Sequence, residues 1–258
     1  MQTTSPENAP FDEHLSQIAT AWTVVFQAHA GPSEAVHAAQ RAMLQRYSAA
    51  VYRYLLGAVR NPDVADDLFQ EVALRFVRGD FKRADPGRGR FRDFLKTALY
   101  HLVVDYQRRQ QRKAVPLGVG APEPAVETSQ ADSDLEFLNI WRAELMNRAW
   151  QALAEVERQT GQVLYTVLRY RTDHPDVRSP QMAEQLAERL GKTVTGEWVR
   201  KRLHLAREKF TDLLVEEVAR SVEDPTLPEI EHELVDLELL DYCRAALERR
   251  QQGDNKSL

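Results

Sequence analysis

The chain has 258 residues, of which 43% are hydrophobic and 28% charged, and its formal net charge is −5. This composition permits packed cores and excludes global disorder. The single cysteine, Cys243, excludes an internal disulfide and a cysteine-cluster metal site, and it favours a reducing compartment.

Long stretches free of Gly and Pro are rich in Ala, Leu, Glu, Arg and Gln, which predicts an all-α fold. We expect two helical domains joined by a flexible linker, with a helical extension at each end. The predicted parts are an N-terminal helical extension (1–39), a first helical domain (40–113), a flexible linker (114–134), a second helical domain (135–221) and an acidic C-terminal extension (222–258). No basic stretch followed by an apolar run begins the chain, and no apolar segment approaches the roughly 20 residues needed to span a bilayer, so we expect neither a secretory signal nor membrane insertion.

Charge is segregated along the chain. Between Arg78 and Lys113 there are eleven Lys or Arg residues against four acidic ones, whereas between Val222 and Tyr242 there are eight acidic residues and no Lys or Arg. Such asymmetry is typical of a polyanion-binding surface with an acidic appendage, although solvated helix faces produce similar runs.

The N-terminal extension contains an amphipathic stretch around Trp22, with Ile18, Val25 and Phe26 on the same helix. Gly31 and Pro32 end it, and Ser33 is suited to capping the next helix. This first helix either covers the first domain or forms a separate partner site.

The segment after Pro62 has helical periodicity, with a broad apolar face that we expect to be core. The buried positions are predicted to be Val64, Ala65, Leu68, Phe69, Val72, Ala73 and Phe76. The opposite face is acidic and polar, with Leu74 among Asp66, Asp67, Gln70, Glu71 and Arg75. A leucine on such a face suggests a protein contact, although isolated exposed leucines are common.

The basic segment that follows predicts a second amphipathic helix. Its buried face consists of Phe91, Phe94, Leu95, Ala98, Leu99, Leu102 and Tyr106. Its other side presents Lys96, Thr97, Tyr100, Gln107 and Arg108, with His101 at the edge and Arg109, Arg112 and Lys113 near the end. Cations interleaved with an outward aromatic ring suit a single-stranded nucleic acid, because the cations pair with phosphates and the ring stacks on a base. Alternatively, Tyr100 packs against a neighbouring helix.

The two stretches ADDLFQEV and GRFRDFLKTALYHLVVDYQRR together resemble conserved region 2 of bacterial sigma factors, the domain that binds the RNA polymerase clamp and melts the −10 promoter element. The resemblance implies polymerase contacts on the first helix, at Asp67, Phe69, Gln70, Glu71 and Leu74. It implies −10 DNA binding, with one base flipped into a pocket, by Arg90, Arg92, Lys96, Tyr100, His101, Arg108, Arg109 and Arg112. Tyr100 and His101 replace the family's usual Arg-Asn, a departure that bears on the −10 sequence preference.

The second domain contains a predicted helix-turn-helix. Ser179 is a suitable N-cap, and Pro180 suits the first helical position that follows it. An apolar stripe is then formed by Met182, Leu186 and Leu190, and Gly191 ends the helix. Thr195 caps the next helix, whose buried positions are Val199, Leu203, Ala206, Phe210 and Leu213. Its outward face is mainly basic and consists of Glu197, Arg200, Lys201, His204 and Arg207. A recognition helix of this kind enters the major groove, but a basic solvated face is also common without DNA binding.

This stretch resembles sigma region 4, which reads the −35 element, with Trp198-Val199-Arg200-Lys201-Arg202-Leu203 at the start of the recognition helix. The resemblance implies −35 contacts from Thr195, Glu197, Trp198, Arg200, Lys201, His204 and Arg207. A tryptophan replaces the family's usual threonine, which indicates an unusual −35 preference. The two resemblances, their order and their linker together identify the chain as similar to a sigma factor of the extracytoplasmic-function (ECF) type. Its partners would be core RNA polymerase and promoter DNA.

The acidic extension carries two apolar stripes. One comprises Ile230, Leu234 and Leu237, and the other Val235, Leu239 and Tyr242. We expect this extension to cover a basic DNA-binding surface, to dock an anti-sigma or other regulatory protein, or to serve only as a solubilising helix.

The sequence predicts neither an enzyme nor a cofactor. It lacks a phosphate-binding glycine loop and the common hydrolase and zinc-protease motifs, and the seven histidines show no metal-ligand spacing. Asp66, Asp67 and Glu71 lie on one helix face, but without a histidine or second acidic helix we expect no metal there. The alternatives are a polymerase-independent helix-turn-helix regulator and, more distantly, an RNA-binding or scaffolding protein. A sigma factor would act in the bacterial cytoplasm.

Overall fold

The computed structural model describes residues 33–78, 80, 90–114, 130–222 and 225–256. Within these residues the structure contains nine α-helices and no β-strand, which confirms the all-α prediction. The predicted N-terminal helix around Trp22, the basic loop at residues 81–89 and most of the predicted linker lie outside the described residues.

The described residues form two compact units. The first contains residues 33–144 with 220–222 and Pro225, and the second contains residues 145–219 and 226–256. The helices of the first unit are α1 (Ser33–Val59), α2 (Pro62–Arg78), α3 (Phe91–Ala114) and the first half of α4 (Gln130–Thr160). The second unit contains the rest of α4 together with α5 (Leu164–Asp173), α6 (Ser179–Leu190), α7 (Gly196–Ala219), α8 (Leu227–Asp236) and α9 (Leu240–Lys256).

The core of the first unit is an aromatic cluster to which α4 contributes. The ring of Trp141 stacks on Tyr47 with centroids 5.2 Å apart, and Phe137 meets Tyr54 edge-on at 5.5 Å. Phe91 lies beside the same tryptophan, and Trp141 and Phe137 are both fully buried. Burying two such side chains removes a large apolar area from water, so residues 130–144 are an integral part of this unit.

This arrangement differs from the predicted domain boundary. The linker prediction ended at residue 134 and assigned the following residues to the second domain, whereas the helix begins at Gln130 and its first half packs in the first unit. Residues 135–144 were predicted to be helical, but periodicity does not identify the surface against which an apolar stripe packs.

In the second unit α7 is the central helix, and α5, α6, α8 and α9 all pack against it. The predicted buried positions on α7, from Val199 to Leu213, are confirmed. Gly191 has φ +61°, as predicted for a residue that ends α6, and its N–H donates to the carbonyl of Ala187. The N-cap of α6 is Arg178, one residue before the predicted Ser179. Its backbone N–H donates to Gln181 Oε1 at 3.2 Å, because the long glutamine side chain reaches back over the first turn.

The acidic C-terminal segment forms two helices that pack on the later half of α7. Ile230, Leu234 and Leu237 are completely buried, so their stripe faces the core of the second unit. Arg249 lies 2.9 Å from Asp212 and 3.6 Å from Glu208 on α7. The second predicted stripe is divided, since Leu239 is buried while Val235 and Tyr242 are about half exposed.

Candidate protein and nucleic-acid interfaces

The outward face of α2 is exposed as the sequence predicted. Asp67 and Gln70 are exposed, and Leu74 has 47% of its surface exposed. Glu71 is half-buried, and its carboxylate lies 2.8 Å from the guanidinium of Arg75, one turn away. An apolar side chain in this polar setting can bury its surface only against another molecule.

Two residues modify the predicted α2 surface. Phe69 is half-buried and meets Tyr52 of α1 edge-on, with centroids 6.2 Å apart, so part of its ring belongs to the packing between helices. Val77, which the sequence interpretation did not single out, is 51% exposed. Its position three residues after Leu74 places it on the same face, and this spacing could have identified it.

The predicted nucleic-acid residues of α3 fall into three groups. His101, Arg108, Arg109 and Arg112 are exposed, and Arg90, Lys96 and Tyr100 are half-buried. The third group is Arg92 alone, which is 5% exposed. The exposed residues form a basic end to α3, which is compatible with contacts to phosphates.

The burial of Arg92 counts against the prediction that it contacts DNA. Only 6% of its side chain is exposed, and its Nε lies 4.0 Å from the carboxylate of Asp93. Arg92 is buried together with Phe91 and Leu95. The buried side of α3 is therefore broader than its apolar stripe indicated.

A cavity of about 720 Å³ lies between α1, α3 and α4 in the first unit. Its polar lining includes Tyr54, Arg60, Tyr100, Gln107, Ser133 and Glu136. Tyr54 and Ser133 share a buried hydrogen bond of 2.7 Å, and burial raises the pKa of the Tyr54 hydroxyl. Tyr100 therefore lines a polar cavity that it shares with residues of α1 and α4, and its stacking on a base stays a prediction.

The outward face of α7 is exposed as predicted. Glu197, Arg200, Lys201, His204 and Arg207 are all exposed. Thr195 caps the helix, because the Trp198 N–H donates to its Oγ1 at 3.2 Å. Within this face Lys201 lies 2.9 Å from Glu197, and His204 lies 3.5 Å from Glu208. Such exposed pairs contribute little to stability, so Lys201 remains able to exchange partners.

Trp198 is held at the start of α7 by cations that the sequence interpretation did not identify. Lys192 Nζ lies 5.2 Å from the centroid of the indole ring, and Arg202 Cζ lies 5.6 Å from it. These cation–π contacts orient the ring and add two positive charges beside it. Lys192 lies in the turn between α6 and α7, and only the folded turn brings it to the tryptophan.

The acidic extension does not cover the outward face of α7 in the structure. Its helices contact the later half of α7, through Glu208 and Asp212, and Arg200 and Lys201 stay exposed. Among the described residues the extension therefore leaves the basic face of α7 exposed, and the expectation that it covers a basic DNA-binding surface stays a prediction. Its place in the unit is set by apolar packing together with the ion pairs that Arg249 and Arg250 form with α7.

Among the residues that the structure describes, no group of three or more His, Cys, Asp or Glu side chains could hold a metal ion. No helix in this part of the chain has the length and hydropathy to cross a bilayer. Cys243 is fully buried, and burial raises the pKa of its thiol to about 12.

Residues 43–113 match the family model for sigma-70 region 2. The matched segment contains most of α1, the whole of α2 and almost all of α3, and hence both surfaces described above for the first unit. The match supports a role in binding RNA polymerase and in promoter melting. Neither the curated proteins nor the solved structures contain a significant match to the chain.

Proposed function

We propose that this chain is a bacterial sigma factor of the ECF type, which directs core RNA polymerase to promoters. The observation that carries the proposal is the region 2 match at residues 43–113, together with the exposed α2 face that this match contains. Leu74 and Val77 are the apolar centre of that face, and Asp67, Gln70 and Glu71 surround them with polar groups. A small apolar centre within a polar rim is the usual composition of a protein interface.

In this proposal α3 holds the melted −10 strand. Arg108, Arg109 and Arg112 supply exposed cations for the phosphates, and Tyr100 and His101 supply rings near them. Stacking on such rings stabilises single strands by roughly 1–3 kcal/mol per base. Arg92 has no part in this contact, because it is buried.

The second unit would read the −35 element as a region 4-like domain. Support comes from the geometry of α6 and α7, which are two helices joined by a tight turn at Gly191, with a mainly basic face on the second helix. The residues proposed to contact the major groove are Thr195, Glu197, Trp198, Arg200, Lys201, His204 and Arg207. Lys192 joins them through its contact with Trp198.

The proposal assigns no catalytic activity, cofactor or metal to this chain, since the polymerase performs the chemistry. It places the protein in the bacterial cytoplasm with core polymerase and promoter DNA as partners. An anti-sigma or other regulatory protein is a further possible partner, and the half-exposed Val235 and Tyr242 of the acidic extension are the apolar residues available for it.

The proposal is tested by pull-down of purified core RNA polymerase with the full-length chain. We expect the wild type to bind, and the triple variant Gln70→Ala/Glu71→Ala/Leu74→Ala to lose at least tenfold in affinity, as truncation of an interface centre does. The matched control is Glu231→Ala/His232→Ala/Val235→Ala, which removes an acidic, a polar and an apolar exposed side chain from α8. Circular dichroism checks that all three proteins fold.

Binding by the control and loss in the α2 variant would support the sigma-factor assignment. If the wild type failed to bind core polymerase, the polymerase-independent helix-turn-helix regulator would become the better proposal. The basic face of α7 favours that alternative, because this face needs no polymerase to enter a major groove.

A further inference from the structure

Four side chains on α3 form a single stripe along the helix. Lys96, Tyr100, Val103 and Gln107 follow one another at intervals of four, three and four residues, and this spacing places them on one face. Lys96, Tyr100 and Gln107 belong to the side of α3 that we propose for the melted strand. In the structure, however, this stripe faces α4 of the same unit.

The first two turns of α4 pair with one polar group of the stripe and also contact α1. The carboxylate of Asp134 lies 3.2 Å from Lys96 Nζ, and Ser133 shares its buried hydrogen bond with Tyr54. Glu136 Oε1 lies so close to Gly57 of α1 that a Cβ atom at that position would collide with it. Ser133 and Glu136 also line the cavity opposite Tyr100 and Gln107.

The contacts that hold α4 in the first unit change from polar to apolar along its first turns. Residues 133–136 are held by an ion pair and a hydrogen bond, whereas Phe137 and Trp141 are buried in the aromatic core. The ion pair is partly exposed, with 25% of the Lys96 side chain and 40% of the Asp134 side chain accessible. Such an ion pair exchanges for another at low cost, and the buried Tyr54–Ser133 hydrogen bond costs more to break. Removal of the two aromatic side chains from the core would in addition expose a large apolar area.

We propose that the start of α4, residues 130–136, is an internal competitor for the nucleic-acid strand on α3. The Asp134 carboxylate pairs with Lys96 in the place of a phosphate. Strand binding displaces these two turns while Phe137 and Trp141 keep the rest of α4 in the core. The inference rests on the proposed function of α3. The free-energy cost of displacing these turns would lower the affinity of α3 for DNA.

The inference is tested with four full-length proteins: wild type, Asp134→Asn, Lys96→Ala and the double variant. Each is titrated, alone and with core RNA polymerase, into a fluorescein-labelled pool of random single-stranded DNA at low salt, and binding is followed by fluorescence anisotropy. The matched control is Glu155→Gln, which makes the same change of charge on the exposed later part of α4. Thermal unfolding by circular dichroism checks that every variant folds.

We expect Asp134→Asn to bind the pool about three- to tenfold more tightly than the wild type, as freeing one cation for a phosphate should do. The gain should be absent when Lys96 is alanine, and Glu155→Gln should bind like the wild type. Hydrogen exchange should also accelerate at residues 133–136 of the wild type when DNA is added.

Three results would overturn the inference. The gain could persist in the Lys96→Ala background, it could be matched by Glu155→Gln, or it could be absent although the wild type binds DNA. The first two would reveal a general charge effect, and the third would make Asp134 a structural residue only. Failure of every protein to bind the pool, even with core polymerase, would instead contradict the proposed function of α3 and the inference with it.

Discussion

Arg92 and Arg108 lie on the same helix and carry the same charge, yet their surroundings assign them different tasks. Arg92 is buried, whereas Arg108 is exposed. A buried arginine contributes through packing and internal polar contacts, and an exposed one through its interactions with ligands.

We therefore expect opposite effects from the two alanine substitutions. Arg92→Ala should lower the free energy of unfolding by about 1–3 kcal/mol and leave the salt dependence of DNA binding unchanged. Arg108→Ala should leave stability unchanged and reduce the slope of log K against log salt by about 0.7 for single-stranded DNA, the value for one lost phosphate contact. Chemical denaturation and anisotropy titrations at several salt concentrations measure the two quantities. A loss of salt slope in Arg92→Ala would show that Arg92 turns outward to bind DNA.

At the scale of single helices and turns, the connection between α6 and α7 determines how the basic face is presented. Gly191 adopts φ +61°, and nothing lies within 4 Å of the place where a Cβ would be. A side chain there would meet no steric obstacle, so the cost of a substitution comes from the left-handed backbone alone.

Gly191→Ala should consequently destabilise the second unit by about 1 kcal/mol, and Gly191→Asn by less, since asparagine tolerates the left-handed region better than alanine. Urea denaturation of the full-length proteins measures the difference. An equal cost for both variants would mean that contacts of the side chain, not backbone conformation, decide the effect. The alanine variant should also bind duplex DNA more weakly if the turn must hold α7 in position.

At the scale of the whole chain, the acidic extension belongs to the second unit and is not a detachable cover. The charge pattern singled out residues 222–258 as an appendage, but α8 and α9 bury Ile230, Leu234 and Cys243 completely. Two arginines of α9, Arg249 and Arg250, form ion pairs with acidic residues of α7. Removal of such a segment exposes core surface instead of releasing a binding face.

The neighbouring residues Leu234 and Val235 on α8 provide a direct test. Leu234→Ala should lower the free energy of unfolding by about 2–5 kcal/mol because it leaves a cavity in the core. Val235→Ala, at a half-exposed position, should change it by about 0.5 kcal/mol or less. Thermal and urea denaturation measure both variants. An unchanged free energy of unfolding in Leu234→Ala would indicate that the extension is detached from α7 in solution.

Several features could be read from the sequence because they depend on neighbours within a single helix. The exposed face of α2 around Leu74 and the buried positions of α7 follow from the 3.6-residue repeat, and both are confirmed. The left-handed Gly191 and the Thr195 cap follow from local backbone chemistry. The basic residues that α3 exposes at its end were visible in the same way.

Other features depended on which helix packs against which, and periodicity carries no such information. Arg92 is buried by the fold around it. The fold also brings Lys96 to Asp134 and Lys192 to Trp198. The aromatic core formed by Trp141, Tyr47 and Phe91 places the start of α4 in the first unit, although the composition before it resembles a linker. Such contacts arise from the tertiary structure, because an apolar stripe defines a face to be covered and leaves open which residues cover it.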